Sequence, residues 1–389
     1  MIVNLYSIIE KIALMFANDL NLIEAGNNGP YNHKETILRN KSNWIIIFSK
    51  LYRESKNKIY YDCVKELSEY LLSENARPNG FAFFHRDVLG KDSSNGLIGQ
   101  AWTFEALYEC YLTLGDIKFI KLAEKVFDQH KFDKKTGLWH VLDVNGKIMD
   151  VDAAFNHQLW FAYASAQIVP HTNKNYSNIY LFLDNINSNL KILENGLVYH
   201  PIERYAIPNF SSGNNFFRII KRTIKNIIKK QSLKPLFETK NTTIEKWLNE
   251  QEEKSIGYHA FNMFAFVKLE ELTKKHKFWK SIEYSKMIDA VIDIEFIKKN
   301  EKNKYSYPYN PFGFEFTFII FKKFDFLSKI ELVNHVLIKQ FEMNFDINSL
   351  MFEKNNNDKH TLTSRLYELL SVPKNKLETI SLNIWQVEK

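Results

Sequence analysis

The chain has 389 residues, 45% of them apolar and 25% charged, with 52 Lys and Arg against 45 Asp and Glu for a net charge of +7. This suits a globular protein of one large or two ordinary domains with a sizeable core, not a disordered or fibrous chain. The modest excess of charge gives no ground for a nucleic-acid partner, and two cysteines in helical patterns, Cys63 and Cys110, give none for a disulfide framework or a cysteine metal site.

The first twenty residues interleave Glu10, Lys11 and Asp19 with apolar side chains. They read as an amphipathic helix, not a signal peptide or a membrane span, so the expected location is cytoplasmic. Helical periodicity then dominates, and its interruptions carry the information. A turn residue followed by an aromatic-rich stretch recurs at Asn28-Gly29, Asn79-Gly80, Thr136-Gly137 and Asn195-Gly196, with weaker copies at Asn303-Lys304 and Asn348-Ser349. Gly or Asn there accepts positive φ and ends a helix. The residues after it suit a short strand.

Between copies the pattern predicts paired helices: 34–54 with 58–74, 99–114 with 116–130, 152–169 with 175–192, 257–273 with 277–297, 311–323 with 327–341, and 361–371 with 374–386. Short links such as Leu114-Gly115-Asp116 make the partners antiparallel. Six hairpins predict an all-α fold, an (α/α)6 toroid with short β segments in its loops, spanning 1–389 as one catalytic domain. The nearly all-apolar 153–168 suits an inner helix, and the two-faced 121–132 an outer one. An α-solenoid is the rival architecture, disfavoured by the long polar and aromatic loops before each first helix.

GYHAFNMFAFVKLEEL (257–272), NPFGFEF (310–316), TLTSRLYELL (361–370) and GLIGQAWTFEAL (96–107) together resemble the six-hairpin glycosidase superfamily, within it the AglQ-like branch of glycan-assembly gene clusters. The resemblance spans most of the chain except 209–254. It implies a carbohydrate-active enzyme, an oligo- or polysaccharide substrate and a site at the starts of the inner helices. It assigns no catalytic residues, so roles follow from chemistry.

Glycoside hydrolysis needs two carboxyl groups flanking the bond. Asp152 and Glu315, each opening an inner helix, are the leading pair, with Asp87 and Asp150 in reserve. Elimination or epimerisation on a uronic-acid sugar instead needs an Asn, a His and a Tyr. Asn156 and His157, in an Asn-His-x-x-Trp sequence similar to that of alginate lyases, with Tyr258 and His259, supply that set. Tyr31, His33, Gln100, Trp102 and Asn262 are candidate substrate contacts, Tyr31 and Trp102 by stacking. Arg365 and Arg86 are candidates for holding an acidic sugar. Trp160, one turn deeper, reads as core. The sequence implies no cofactor and no metal site, and a non-catalytic glycan binder is the further alternative.

The fourth unit carries a basic insertion at 209–254. Within it, Phe216, Phe217, Ile219, Ile220, Ile224, Ile227 and Ile228 share one helical face, opposite Arg218, Lys221, Arg222, Lys225 and Lys229. Residues 214–231 therefore suit an anionic membrane surface or a helix packed on the toroid.

Overall fold

The structure, a computed structural model, describes residues 3–172, 177–205 and 242–382. A short strand β1 (Val3–Asn4) leads into α1 (Leu5–Asn18). Helical pairs follow: α2 (Leu38–Ser55) with α3 (Lys58–Leu72), α4 (Gly96–Leu114) with α5 (Lys118–Gln129), and α6 (Phe155–Ile168) with α7 (Ser177–Asp184) and α8 (Ile186–Asn189). After α9 (Thr242–Gly257), α10 (His259–Leu272) precedes α11 (Ile282–Val291) and α12 (Ile294–Glu301), and α13 (Phe312–Lys323) precedes α14 (Ile330–Asn344). The sixth unit holds α15 (Lys359–Ser364) and α16 (Lys374–Leu377).

Each first helix packs on the first helix of the next pair, from α2 through α4, α6, α10 and α13, and residues 359–371 close back onto α2. The ring is shut, an all-α (α/α)6 toroid. Position in the ring follows from apolar pattern. Every residue of α6 except His157 and Gln167 is buried, because neighbours cover all its sides. In α5 only Phe119, Ile120, Ala123 and Val126 are buried, one stripe at helical spacing facing the ring.

Short strands close the loops. β2 (Phe132–Asp133), β3 (Leu138–Leu142) and β4 (Ile148–Val151) form an antiparallel sheet, and β5 (Phe345–Asp346) pairs with β6 (Met351–Phe352). β7 (Ser381–Leu382) pairs with β1 in the register Val3↔Leu382, joining the two ends of the described chain.

The same device repeats where a strand meets its inner helix. Gln100 Oε1 accepts from Phe83 N at 2.8 Å while its Nε2 donates to the Phe83 and Ser94 carbonyls. Gln158 Oε1 accepts from Trp139 N at 2.9 Å while its Nε2 donates to the Trp139 and Asp152 carbonyls. His259 Nδ1 accepts from Val198 N at 3.2 Å, and Thr363 Oγ1 from Phe352 N at 2.9 Å. Each clip satisfies a buried loop amide and fixes the loop over its helix.

The predicted pairs differ from the structure in four places. Within 175–192 the described helix is interrupted at Asn185, between α7 and α8. The segment 277–297 is broken because the Asp293 side chain accepts from Phe296 N and starts a new helix. The segment 361–371 tightens after Ser364 into two 3₁₀ turns. That geometry eclipses positions i and i+3 and brings Arg365 onto Glu368. Within the described part of the segment 374–386, helix covers only 374–377 before the strand at Ser381. The N-terminal helix α1, packed on α2, α3 and α16, covers the outside there instead. The amphipathic segment 214–231 lies outside the described residues. Among those described, no helix is long and apolar enough to cross a membrane.

Candidate active site

A cavity of about 230 Å³ opens where the inner helices begin. Five of the six units contribute to its wall. Tyr31, His33 and Arg39 come from the first, and Arg86, Lys91, Asn95 and Trp102 from the second. Asn156, His157 and His200 come from the third and its following loop, Lys254, Tyr258 and Phe261 from the fourth, and Tyr309 and Asn310 from the fifth.

At its centre His157 Nδ1 donates to Asp152 Oδ2 at 2.8 Å. Asp152 also accepts from Leu97 N at 3.0 Å and from Ala154 N at 3.2 Å. Burial alone would raise this carboxyl, but the His157 charge and these hydrogen bonds together hold it below the usual carboxylate range. The bond through Nδ1 leaves His157 Nε2 as the ring's accepting atom, turned to the cavity. Gly96 makes the approach possible. At φ +60° it opens α4, and a Cβ there would stand 2.4 Å from Asp152 Oδ2 and 2.9 Å from His157 Nδ1.

Beside this dyad His200 packs on Tyr258, ring centroids 4.6 Å apart. Burial, with Lys254 and His157 adding, lowers the His200 pKa to about 3, so the ring is neutral at physiological pH. The Tyr258 hydroxyl lies 2.9 Å from that of Tyr31, and Tyr309 donates to Asn28 Oδ1 at 2.8 Å. Burial and the neighbouring tyrosines raise Tyr258 well above the ordinary phenol range, so it stays protonated.

Also on the lining, the Arg39 guanidinium lies 3.8 Å over the Trp102 ring, and its Nη1 donates to Glu35 at 3.2 Å. Lys254 pairs with Glu250 at 2.9 Å. Arg86 spends its donors on its own loop, through Asp92 and Asn95. Among the described residues the lining includes four cations and no Asp or Glu. The carboxylates stand one layer behind.

Of the residues singled out in the sequence, the cavity brings together Tyr31, His33, Arg86, Trp102, Asn156, His157 and Tyr258, with Asp152 directly behind. The others lie elsewhere. His259 is fully buried, its Nδ1 clipped to Val198 N and its Nε2 donating to the Met287 carbonyl at 3.0 Å, so neither nitrogen is free for substrate. Gln100 is likewise spent on its clip. Glu315 and Arg365 are buried together outside the cavity wall, 2.7 Å apart, with Glu368 completing the cluster. Asn262 is buried outside the lining, and Asp87 and Asp150 are exposed on loop and strand. Trp160 stacks on Phe261 in the core. The sequence reading missed Arg39, His200, Lys254 and Tyr309. His200 ends a repeated loop motif, and Arg39 stands four residues after Glu35, so the sequence carries a signal for both.

No family model matches the chain. Among solved structures, cellobiose 2-epimerase from Spirochaeta thermophila is similar at 10% identity, covering 96% of this chain and 98% of its own, with a TM-score of 0.61. The GH76 α-mannanase of Bacteroides thetaiotaomicron is similar at 11% identity, covering 95% and 96%, with a TM-score of 0.57. Those likenesses are to the six-hairpin fold. In sequence, the chain is 33% identical over 348 residues to archaeal glycosylation protein Q of Haloferax volcanii, covering 88% of this chain and 90% of that protein. With that identity across nearly its whole length, the chain belongs to the family of archaeal glycosylation protein Q.

Proposed function

We propose that the toroid acts as one catalytic domain of a carbohydrate-active enzyme, and that its chemistry is proton transfer at a sugar carbon, the step shared by epimerases, isomerases and lyases. One observation carries the reading: an Asp–His dyad faces a neutral His and a protonated Tyr in a cavity whose described wall has no carboxylate. Glycoside hydrolysis requires two carboxyl groups at the bond. Of the two expected for it, Asp152 is engaged with His157, and Glu315 is buried against Arg365. The fold neighbours include both epimerases and mannanases, and the relative's name ties it to glycosylation, which supports a sugar from glycan assembly.

In this reading a sugar ring lies against Trp102 and Tyr31. His157 Nε2 accepts the proton leaving carbon, and Asp152 stabilises the imidazolium that forms. The electron pair from the broken C–H bond forms a C=C bond to the adjacent carbonyl or carboxylate carbon, whose π pair moves onto its oxygen. Neutral His200 and the Tyr258 hydroxyl donate hydrogen bonds to that oxygen without first losing a charge. The proton then returns to carbon. In an elimination the C=O bond re-forms instead, and the C=C pair shifts to make a double bond to the next carbon as its bond to the leaving oxygen breaks. That oxygen takes a proton from Tyr258.

The test is incubation in D₂O with a panel of reducing sugars and uronate oligosaccharides, read by mass spectrometry and NMR. Deuterium at a sugar carbon, or an unsaturated uronate product, is the expected result. Release of a sugar by water with no deuterium at carbon would return the assignment to hydrolysis.

A further inference from the structure

Arg39 is 2% exposed, in the first turn of α2, and its charge is only partly used. Nη1 donates to both Glu35 oxygens, at 3.2 and 3.3 Å. Neither Nε nor Nη2 has a hydrogen-bond partner among the described residues, and Nε is buried without one. A buried guanidinium edge left without an acceptor is unfavourable by about 1–3 kcal/mol or more. Trp102 covers one face of the plane at 3.8 Å, and Glu35 holds its far end. The unclaimed edge is thus a planar two-donor fork held in one orientation, the geometry that matches a carboxylate or phosphate.

Two more observations point to a ligand there. Asn156 Oδ1, buried on the same cavity wall, also has no partner and would accept from a sugar hydroxyl. Lys91 and Lys254 stand on the lining with Arg39 and Arg86. Burial raises Glu35 to about 7 against the lowering pull of Arg39, so near neutrality the counter-charge behind Arg39 is incomplete. A neutral sugar would leave the fork unmatched.

We infer that Arg39 anchors an anion subsite, so that the sugar this cavity takes carries a carboxylate or a phosphate ester. The inference rests on the reading of the cavity as a sugar site, and it adds the chemical class of the substrate. Arg39 here is a binding residue on the same cavity lining as His157.

The experiment is titration calorimetry of the full chain with glucuronate, its uncharged isostere glucuronamide, glucose and glucose 6-phosphate. Charge-assisted hydrogen bonds predict that an anionic sugar binds about 10–100-fold more tightly than its neutral counterpart. Arg39→Gln should erase that preference, and Arg39→Lys should restore only part of it, since a lysine offers a point charge and no fork. The acid–amide comparison on the unaltered protein keeps the test valid if Arg39→Gln does not fold. Preference for glucuronate identifies a uronate as the source of the anion, and preference for glucose 6-phosphate a phosphate ester. Equal affinity for acid and amide together with equal affinity for glucose and its phosphate, no binding of any anionic sugar, or an undiminished preference in folded Arg39→Gln would each overturn the inference. Deuterium exchange separates it from the catalytic reading. Anion preference without exchange refutes proton transfer and keeps the subsite; exchange into neutral sugars without anion preference does the reverse.

Discussion

Replacing Asp152 by Asn keeps the shape of the side chain and removes one acceptor and the charge. Asp152 takes three hydrogen bonds, two at Oδ2 from His157 and Leu97 and one at Oδ1 from Ala154. An amide has only one oxygen. Turned toward His157 and Leu97, it sets its NH₂ against the Ala154 N–H; turned the other way, it loses two bonds and forces His157 to accept at Nδ1. Hydrogen bonds to a charged group contribute about 1.5–3 kcal/mol each, so the variant should lose about 2–4 kcal/mol of stability at neutral pH. Turnover should fall about 10²–10⁴-fold, because the imidazolium loses its partner or the base takes the wrong tautomer. The Asp152 carboxyl is held below its usual range in the folded protein. Its contribution is therefore complete above the unfolded pKa and lost as pH falls through the lower folded value. Thermal melts of both proteins across the acid range should show the stability gap constant near neutrality and closing in acid. Solvent-deuterium exchange reads the turnover. Unchanged turnover, or a gap that widens as pH falls, would refute the dyad.

His259→Gln should fold and turn over normally, since Gln makes the equivalent clip at 100 and 158, whereas His259→Ala should lose about 1–3 kcal/mol by leaving Val198 N unpaired. Burial lowers His259 to about 4, so its contribution is complete above pH about 6.5 and is lost as pH falls toward 4. The Gln variant should accordingly lose less stability than the unaltered protein between pH 7 and pH 4.5, as calorimetry would show. Gly96→Ala should cost about 1–2 kcal/mol through its left-handed backbone alone and depress turnover more than stability, by driving a methyl into the Asp152–His157 bond; normal exchange kinetics would count against that contact. Glu315→Gln should change stability by less than about 1.5 kcal/mol and leave turnover intact, because burial and the Glu368 charge already hold this carboxyl well above its ordinary range. A large loss of turnover with an intact melt would return Glu315 to the chemistry.

The toroid was legible because it is a repeated local pattern. A positive-φ turn, an aromatic strand and a buried helix recur often enough that each copy supports the others, as Gly137 at φ +69° and Gly196 at φ +83° bear out. The same repetition misled the reading of the site. Polar residues recur at inner-helix starts for two reasons, to clip a loop amide or to face the cavity, and the letter alone does not distinguish them. Gln100, Gln158 and His259 all clip, so a histidine that looked like a base fills the place of a glutamine. Asn156 and His157, two and one residues before the clip Gln158, turn to the cavity instead. What separates them is angle around the helix: adjacent residues differ by about 100°, so a shift of one position moves a side chain from the loop to the cavity. The charge cluster of Glu315, Arg365 and Glu368 was illegible for another reason. It depends on the sixth inner segment tightening to 3₁₀ after Ser364, and helical periodicity carries no mark of that change. Arg39 fell between the two cases. Its spacing from Glu35 predicts an exposed surface pair of a few tenths of a kcal/mol. Only closure of the ring, which sets Trp102 of the next helix over it, turns that pair into a buried one on the cavity lining.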